Sequence, residues 1–354
     1  MRDERERRDG RDKGRFEVRG SKFEVFGTSN PELRTSDRAI LACLAFPASL
    51  ARTEFFRSLL DERPPVNLPV DGSPVLETVG RRGALSYEFE RAGSRTILTR
   101  SSCTSPWHYF PPSYLDDSGC AYSWLVNPSG GLVGGDHVSV EAQLHAGTHV
   151  LMTSPSANRV YRSLSEPAVQ EVHLSVGPDA RLEWLPEVTI PFAGSRFCQS
   201  IHVDLAPGAT VVLWDAIASG RVAMRERWAF AAVENEIRIR TPLGGSVVER
   251  YRVVPGRLPE SVGLVGSWDY VASLFVIGDT VDAEVWKGLE SAIAAILERR
   301  PGLVLGAVST PAAPGLAVKF VARSAPDLTV TLEAIWAAVR EDLWNLPAPN
   351  LRRY

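Results

Sequence analysis

Three stretches decide how this chain folds: Val140-Glu-Ala-Gln-Leu144, Val172-His-Leu-Ser-Val176 and Ile201-His-Val-Asp-Leu205. Each alternates apolar and polar residues, the period of a β-strand with one buried face. Each is followed by a glycine, at 147, 177 and 208, and then by a second apolar run. Those runs are Val150-Leu-Met152, Leu182-Glu-Trp184 and Val211-Val-Leu-Trp214. The unit strand, tight turn, strand thus recurs about every 30 residues. A period of this size predicts supersecondary units stacked on one another, as in a β-solenoid or a layered sandwich.

Outward from this repeat, residues 81 to about 277 keep the same character, short apolar runs between Gly, Pro, Asp and Asn clusters. The 28 glycines and 25 prolines suit a fold with many turns. Two amphipathic helices are predicted after the strands. One runs from Val281 to Arg300, with Val285, Leu289, Ile293 and Ile296 on one face and Pro301-Gly302 closing it. The other runs from Leu328 to Trp344, with Leu332, Ile335, Trp336, Val339 and Leu343 on its stripe. Between them, 306–308 and 316–322 read as a strand pair. The predicted fold is mainly β: a β-helical, solenoid-like stack of many strands with two α-helices in the C-terminal region.

Residues 1–75 differ. Their first half alternates Arg with Asp and Glu and offers little apolar surface, so they read as a disordered or linker extension. A helix over 39–60 is predicted within it, ended by Arg63-Pro64-Pro65. Residues 76–354 read as one β-rich domain.

A net charge of −3 gives no field for nucleic acid or an anionic membrane. No apolar run approaches the roughly 18 residues of a membrane span. Four scattered cysteines with no C-x-x-C pair predict reduced thiols in the cytoplasm rather than a zinc ribbon or a disulfide framework. The six histidines form no helical pair and read as solvated surface residues. No permanent metal site or cofactor is predicted.

The loop Asn127-Pro-Ser-Gly-Gly-Leu-Val-Gly-Gly-Asp136 places Gly130, Gly131, Gly134 and Gly135 within six residues. Neither a Lys-Ser/Thr nor a helical pattern follows, so a tightly turned loop needing positive φ is expected rather than a nucleotide cradle. Two carboxylates sit oddly on their strands. In Ser246-Val-Val-Glu-Arg-Tyr-Arg-Val253, Glu249 shares the more apolar face with Val247, Tyr251 and Val253. Asp215 has apolar neighbours on both faces of its strand. A buried carboxylate is costly unless it is paired or binds a cation. Either a cation passes here, or each makes a structural salt bridge, for Asp215 with Arg159, Arg162 or Arg221.

The glycine loop resembles the signature of the urease accessory protein UreD (UreH) family, and further blocks follow in that family's order. Leu151-Met-Thr-Ser-Pro-Ser-Ala-Asn-Arg-Val-Tyr-Arg-Ser163 is similar to its second block, with Asn158, Arg159, Tyr161 and Arg162 as motif positions. Leu182-Glu-Trp-Leu-Pro-Glu-Val-Thr-Ile-Pro-Phe-Ala-Gly194 resembles the third, carrying Trp184, Pro186 and Gly194. Leu213-Trp-Asp215 with Ser219-Gly-Arg221 and Glu226, then Glu249-Arg250, then Trp336 to Arg340, complete the series over roughly 80 to 345. Two departures are visible: Arg159 stands where the family usually has Lys, and Val222 follows Gly220-Arg221 where Pro is usual. Residues 1–75 match nothing in the family pattern.

The resemblance implies a β-helical maturation factor, not an enzyme, in a hetero-oligomer with UreF and the GTPase UreG that docks on apo-urease. It implies nickel in transit through an internal channel, with Asp136, Asp215 and Glu249 as channel candidates. Asn127, Pro128, the four glycines, the other motif positions and Arg250 then serve loop geometry and structure. Isolated carboxylates suit a conduit, because thiolate and imidazole cages would hold a late first-row ion too tightly. Two other readings stay open: a carbohydrate-active β-solenoid hydrolase using a carboxylate pair such as Asp136 and Glu249, and a purely structural β-protein.

Overall fold

The structure is a computed structural model and describes residues 82–242, 244–255 and 266–351. The extension 1–75 and its expected helix lie outside the described residues. The repeat units form stacked coils, but their two strands do not pair with each other. The turn after each first strand carries the chain across to a second sheet.

The first strands build a seven-stranded sheet, in the order β13 (Ser246–Val253), β12 (Ala232–Arg240), β10 (Arg196–Leu205), β7 (Ala168–Val176), β4 (His137–Leu144), β1 (Arg82–Ala92) and β2 (Arg95–Cys103). The second strands build the other sheet: β15 (Val304–Ser309), β16 (Gly315–Ala322), β14 (Tyr270–Gly278), β11 (Thr210–Ala218), β8 (Arg181–Leu185), β5 (His149–Thr153) and β3 (Ala121–Trp124). Two short strands, β6 (Asn158–Val160) and β9 (Thr189–Pro191), pair beside it. The repeating strands are parallel: β4 with β7, β7 with β10, β5 with β8 and β8 with β11. Antiparallel hairpins finish both ends of the seven-stranded sheet and one end of the other, whose opposite edge, β3, is parallel to β5. Gly147 and Gly208 make their turns at positive φ, whereas Gly177 does not; a Cβ there would lie 2.5 Å from the Leu144 carbonyl oxygen.

The two helices are α1 (Ala283–Glu298) and α2 (Ala325–Trp344). Helix α1 buries Leu289, Ile293 and Leu297, while Val285 and Ile296 stay half-buried. Helix α2 starts three residues before its predicted position. The Ser324 hydroxyl caps it by accepting from the Asp327 N–H, with Pro326 in the first turn. The predicted strand pair is present, slightly longer, as β15 and β16.

Three layers result. One apolar core fills the space between the sheets, and a second lies between the larger sheet and the helices. Strand β11 is therefore covered on both faces and buried at all nine positions. That explains its near-continuous apolar run, the mark of a doubly covered parallel strand.

Candidate functional site

The inter-sheet core is interrupted. Leu213 belongs to one apolar cluster and Ile217 to another, and Asp215 lies between them. The same break occurs on each facing strand. Val172, Ile201 and Ile237 belong to the first cluster, and Ala168, Phe197 and Val233 to the second. The residues between are Gln170, Gln199 and Asn235, which lie side by side in register across β7, β10 and β12. Tyr251 of β13 continues the row.

These side chains form one hydrogen-bonded lane. Asn158 Nδ2 donates to Gln170 Oε1 at 3.5 Å, and Gln170 Nε2 donates to Gln199 Oε1 at 3.1 Å. Gln199 Nε2 donates to Asp215 Oδ1 at 2.9 Å and to Asn235 Oδ1 at 3.1 Å. Asn235 Nδ2 donates to Asp215 Oδ2 at 3.1 Å, and Tyr251 also bonds to both. Ser273 is the register partner of Asp215 on β14 and donates to Glu249 Oε1 at 2.7 Å. The Lys319 ammonium lies 3.0 Å from Glu249 Oε2.

Burial first, then the nearby Glu249 charge, push the Asp215 pKa up to about 6, against the hydrogen bonds from Gln199, Asn235 and Tyr251. Asp215 is thus mostly ionised at neutral pH and neutral in mild acid. Burial and the two carboxylates also hold the Tyr251 phenol well above its usual value.

A cavity of about 80 Å³ opens onto the lane between the glycine loop and the Ser154–Asn158 turn, reaching Gln170, Gln199 and Asp215. That is room for roughly five water molecules. Glu187 lines its mouth. The sequence reading did not assign a role to Gln170, Gln199, Asn235, Ser273, Lys319 or Glu187. The signal for the amides was present, since Gln170, Gln199 and Asn235 each fall two residues before an inward apolar residue of the repeat.

Asp215 and Glu249 share this lane, and Asp136 does not. Asp136 is buried in its own loop, where its Oδ2 accepts the Val133 N–H at 2.9 Å. The salt bridge expected for Asp215 is not made by Arg159, Arg162 or Arg221. Arg159 reaches toward the Gly130 carbonyl, the Arg162 stem packs beside Gly194, and Arg221 pairs with Glu226. Two amides do what an arginine was expected to do, without adding a charge. Glu249 does have a cationic partner, from β16 rather than from its own sequence neighbourhood.

The remaining motif residues build the cavity mouth. Asn127 Oδ1 accepts from the Ser129 N–H at 3.0 Å, shaping the turn after Pro128. Gly130, Gly131 and Gly135 have positive φ, as expected; Gly134 does not. Gly134 is needed for close approach, because a Cβ would meet the Glu166 carbonyl oxygen at 2.8 Å. The Tyr161 hydroxyl donates to the Gly130 carbonyl at 3.3 Å. Trp184 is core, the Pro186 carbonyl accepts from Trp214 Nε1 at 2.7 Å, and Gly194 turns at φ +72°. Arg250 points to the outer face and bonds Glu236.

One histidine departs from the solvated-surface expectation. His149 is buried, with Nε2 2.7 Å from Glu183 Oε1. Cys120 lies close enough to make a metal-type trio with them. The cation there is already supplied by the protein, as Arg340 Nη1 lies 3.1 Å from the same Glu183 oxygen. Trp336 Nε1 donates to the other.

The fold and this lane define a class: a helix-covered, two-sheet β-solenoid with a row of buried polar side chains across its apolar interior. The family model described as UreD urease accessory protein matches residues 81–354. Relatives include urease accessory protein UreD of Deinococcus radiodurans, 36% identical over 287 residues that cover 80% of this chain and 99% of the relative. UreD 2 of Streptomyces griseus is 33% identical over 77% of this chain and 93% of its own length. UreD of Haloarcula marismortui is 32% identical over 80% and 92%. The chain belongs to the UreD urease accessory protein family. It is accordingly an accessory protein with a role in urease maturation rather than an enzyme. The hydrolase alternative is set aside with it, and neither Asp136 nor Glu249 lines the open cavity. Among the described residues, no helix is long and apolar enough to cross a membrane.

Proposed function

We propose that this chain acts in the cytoplasm within a complex with UreF and UreG, and that nickel moves along the polar lane on its way to apo-urease. The observations that support this are the hydrogen-bonded run from Asn158 through Gln170 and Gln199 to Asp215, and the Ser273–Glu249–Lys319 group that lies beside it on the register partner of Asp215. Buried polar groups lose hydration and return it only through hydrogen bonds, so an apolar filling would serve stability equally well or better. The lane offers carboxylates and neutral amides with space for water, and among the described residues no thiolate or imidazole lines it. Such oxygen donors bind a late first-row ion weakly and release it quickly. Asp136 then belongs to the mouth-forming loop rather than to the path.

The test is maturation of apo-urease with the Asp215→Asn/Glu249→Gln double variant, alongside UreF and UreG co-purification. The expected result is a normal complex, low urease nickel content at limiting nickel, and partial recovery when nickel is raised. Full activation at limiting nickel overturns the conduit.

A further inference from the structure

The amides of the lane all point one way. Gln170 Nε2 donates to Gln199 Oε1 at 3.1 Å, and Gln199 Nε2 donates onward to Asp215 Oδ1 at 2.9 Å and to Asn235 Oδ1 at 3.1 Å. Asn235 Nδ2 donates in turn to Asp215 Oδ2 at 3.1 Å. An ionised carboxylate only accepts hydrogen bonds. Gln199 must therefore show Asp215 its N–H side, which leaves its carbonyl oxygen for Gln170. The same constraint turns the Gln170 carbonyl oxygen toward Asn158 Nδ2, 3.5 Å away at the cavity. The charge on one buried residue thus sets the direction of a row that ends at the cavity.

Gln199 is the hub of this row. It is 6% exposed and sits on β10, in register between Gln170 and Asn235. Its bonds to Gln170, Asp215 and Asn235 all lie within the row, where hydrogen bonds in series strengthen one another. A cation at Asp215 inverts the demand on it, because an N–H repels the ion and a carbonyl oxygen attracts it. Terminal amide torsions are broad and roughly two-fold, so half a turn exchanges one for the other. That turn puts two N–H groups face to face at Gln170, which must then turn as well.

We infer that Gln199 is the switch of the lane: it donates to Asp215 when no ion is present, and it turns its carbonyl oxygen to an arriving divalent cation, with Gln170 turning in step. The inference rests on nickel passage along the lane and adds the residue that governs loading. A carboxylate and an amide oxygen together suit a brief stop, since neither holds a late first-row ion as thiolate or imidazole does.

The experiment is maturation of apo-urease by the full chain with UreF and UreG over a range of nickel concentrations. Gln199→Met keeps the length of the side chain and removes its amide. It should raise the nickel needed for half-maximal activation by about tenfold or more, with the maximum retained. Gln143→Met, a change at an exposed glutamine on β4, should leave the curve in place. A glutamine with only a structural role lowers complex yield or the maximum without moving the midpoint. That result, or an unchanged curve, overturns the switch. Asp215→Asn, run alongside, separates the two ideas. Impaired Asp215→Asn with normal Gln199→Met ends the role of Gln199 alone, whereas normal activation by both ends nickel passage itself. Should Gln199→Met give no soluble complex, the side-chain amide signals of the unmodified ¹⁵N-labelled chain are followed during titration with Zn²⁺, a diamagnetic probe. The Gln199 and Gln170 signals should shift with one midpoint, and a Gln199 signal that stays in place refutes the switch.

Discussion

Arg340 Nη1 lies 3.1 Å from Glu183 Oε1, and both side chains are completely buried. One belongs to α2 and the other to β8, so this pair ties the helical layer to the larger sheet. The His149 and Trp336 contacts complete the Glu183 shell, and Asp116 lies 3.2 Å from Arg340 Nη2. Arg340→Met should therefore leave Glu183 charged in an apolar layer, at a cost of about 3–5 kcal/mol. For a domain of this size that lowers Tm by about 10 °C. Adding Glu183→Gln should return part of the loss, because it removes the stranded charge. Thermal unfolding of the two variants checks this; an Arg340→Met protein as stable as wild type sinks it.

Glycines of one loop should respond differently from a turn glycine. At Gly131, φ is +152° and a Cβ would lie 2.3 Å from the Arg159 carbonyl oxygen. At Gly147 the φ is +67° but the space around it is open. Gly147→Ala should cost only about 1 kcal/mol of strain, whereas Gly131→Ala should cost about twice that or more and displace the cavity mouth. Denaturant midpoints of the two variants decide it, and equal effects would show that loop packing adds nothing.

The coil architecture was legible because the repeat keeps its apolar residues in phase at Val140, Val172 and Ile201. A parallel stack needs that phase in each coil. Both helices were legible from their stripes, and the start of α2 was missed because Ser324 caps it through a hydroxyl, not through apolar spacing. At the site, Asp215 and Glu249 stood out because carboxylates break an apolar face. Gln170, Gln199 and Asn235 did not, because neutral amides pass unnoticed in alternating strands. The Lys319 and Arg340 partnerships were hidden for another reason. They join residues 70 and 157 positions apart, and nothing in local spacing encodes such pairs.

The raised pKa of Asp215 fixes a pH dependence. Its folded value is about 6 against an ordinary 3.8, so between these the native state binds more protons than the unfolded chain. Stability therefore falls as pH rises from about 4 to 6 and is flat in this group's contribution above that, by on the order of 3 kcal/mol in all. Asp215→Asn should abolish this slope. Urea unfolding at pH 4.5, 5.5 and 7 measures it. A wild-type slope that survives in the variant assigns the titration to another group.

Lys319 and Glu249 separate structural need from transit. Glu249 is buried and Lys319 keeps about a quarter of its side chain in water. Lys319→Met should strand the carboxylate and cost about 3 kcal/mol, the low end for a broken buried pair because water still reaches the cation. Glu249→Gln should cost less, since Lys319 can turn outward. The double variant Glu249→Gln/Lys319→Met leaves no unpaired charge and should melt near the wild-type temperature. If the pair serves stability alone, that double variant also supports normal urease activation. If Glu249 helps carry nickel, activation at limiting nickel stays low although the protein is stable and complexed. Melting temperature, complex yield and urease nickel content, measured on the same three variants, distinguish the outcomes. Full activation by the stable double variant would confine Glu249 to a structural role.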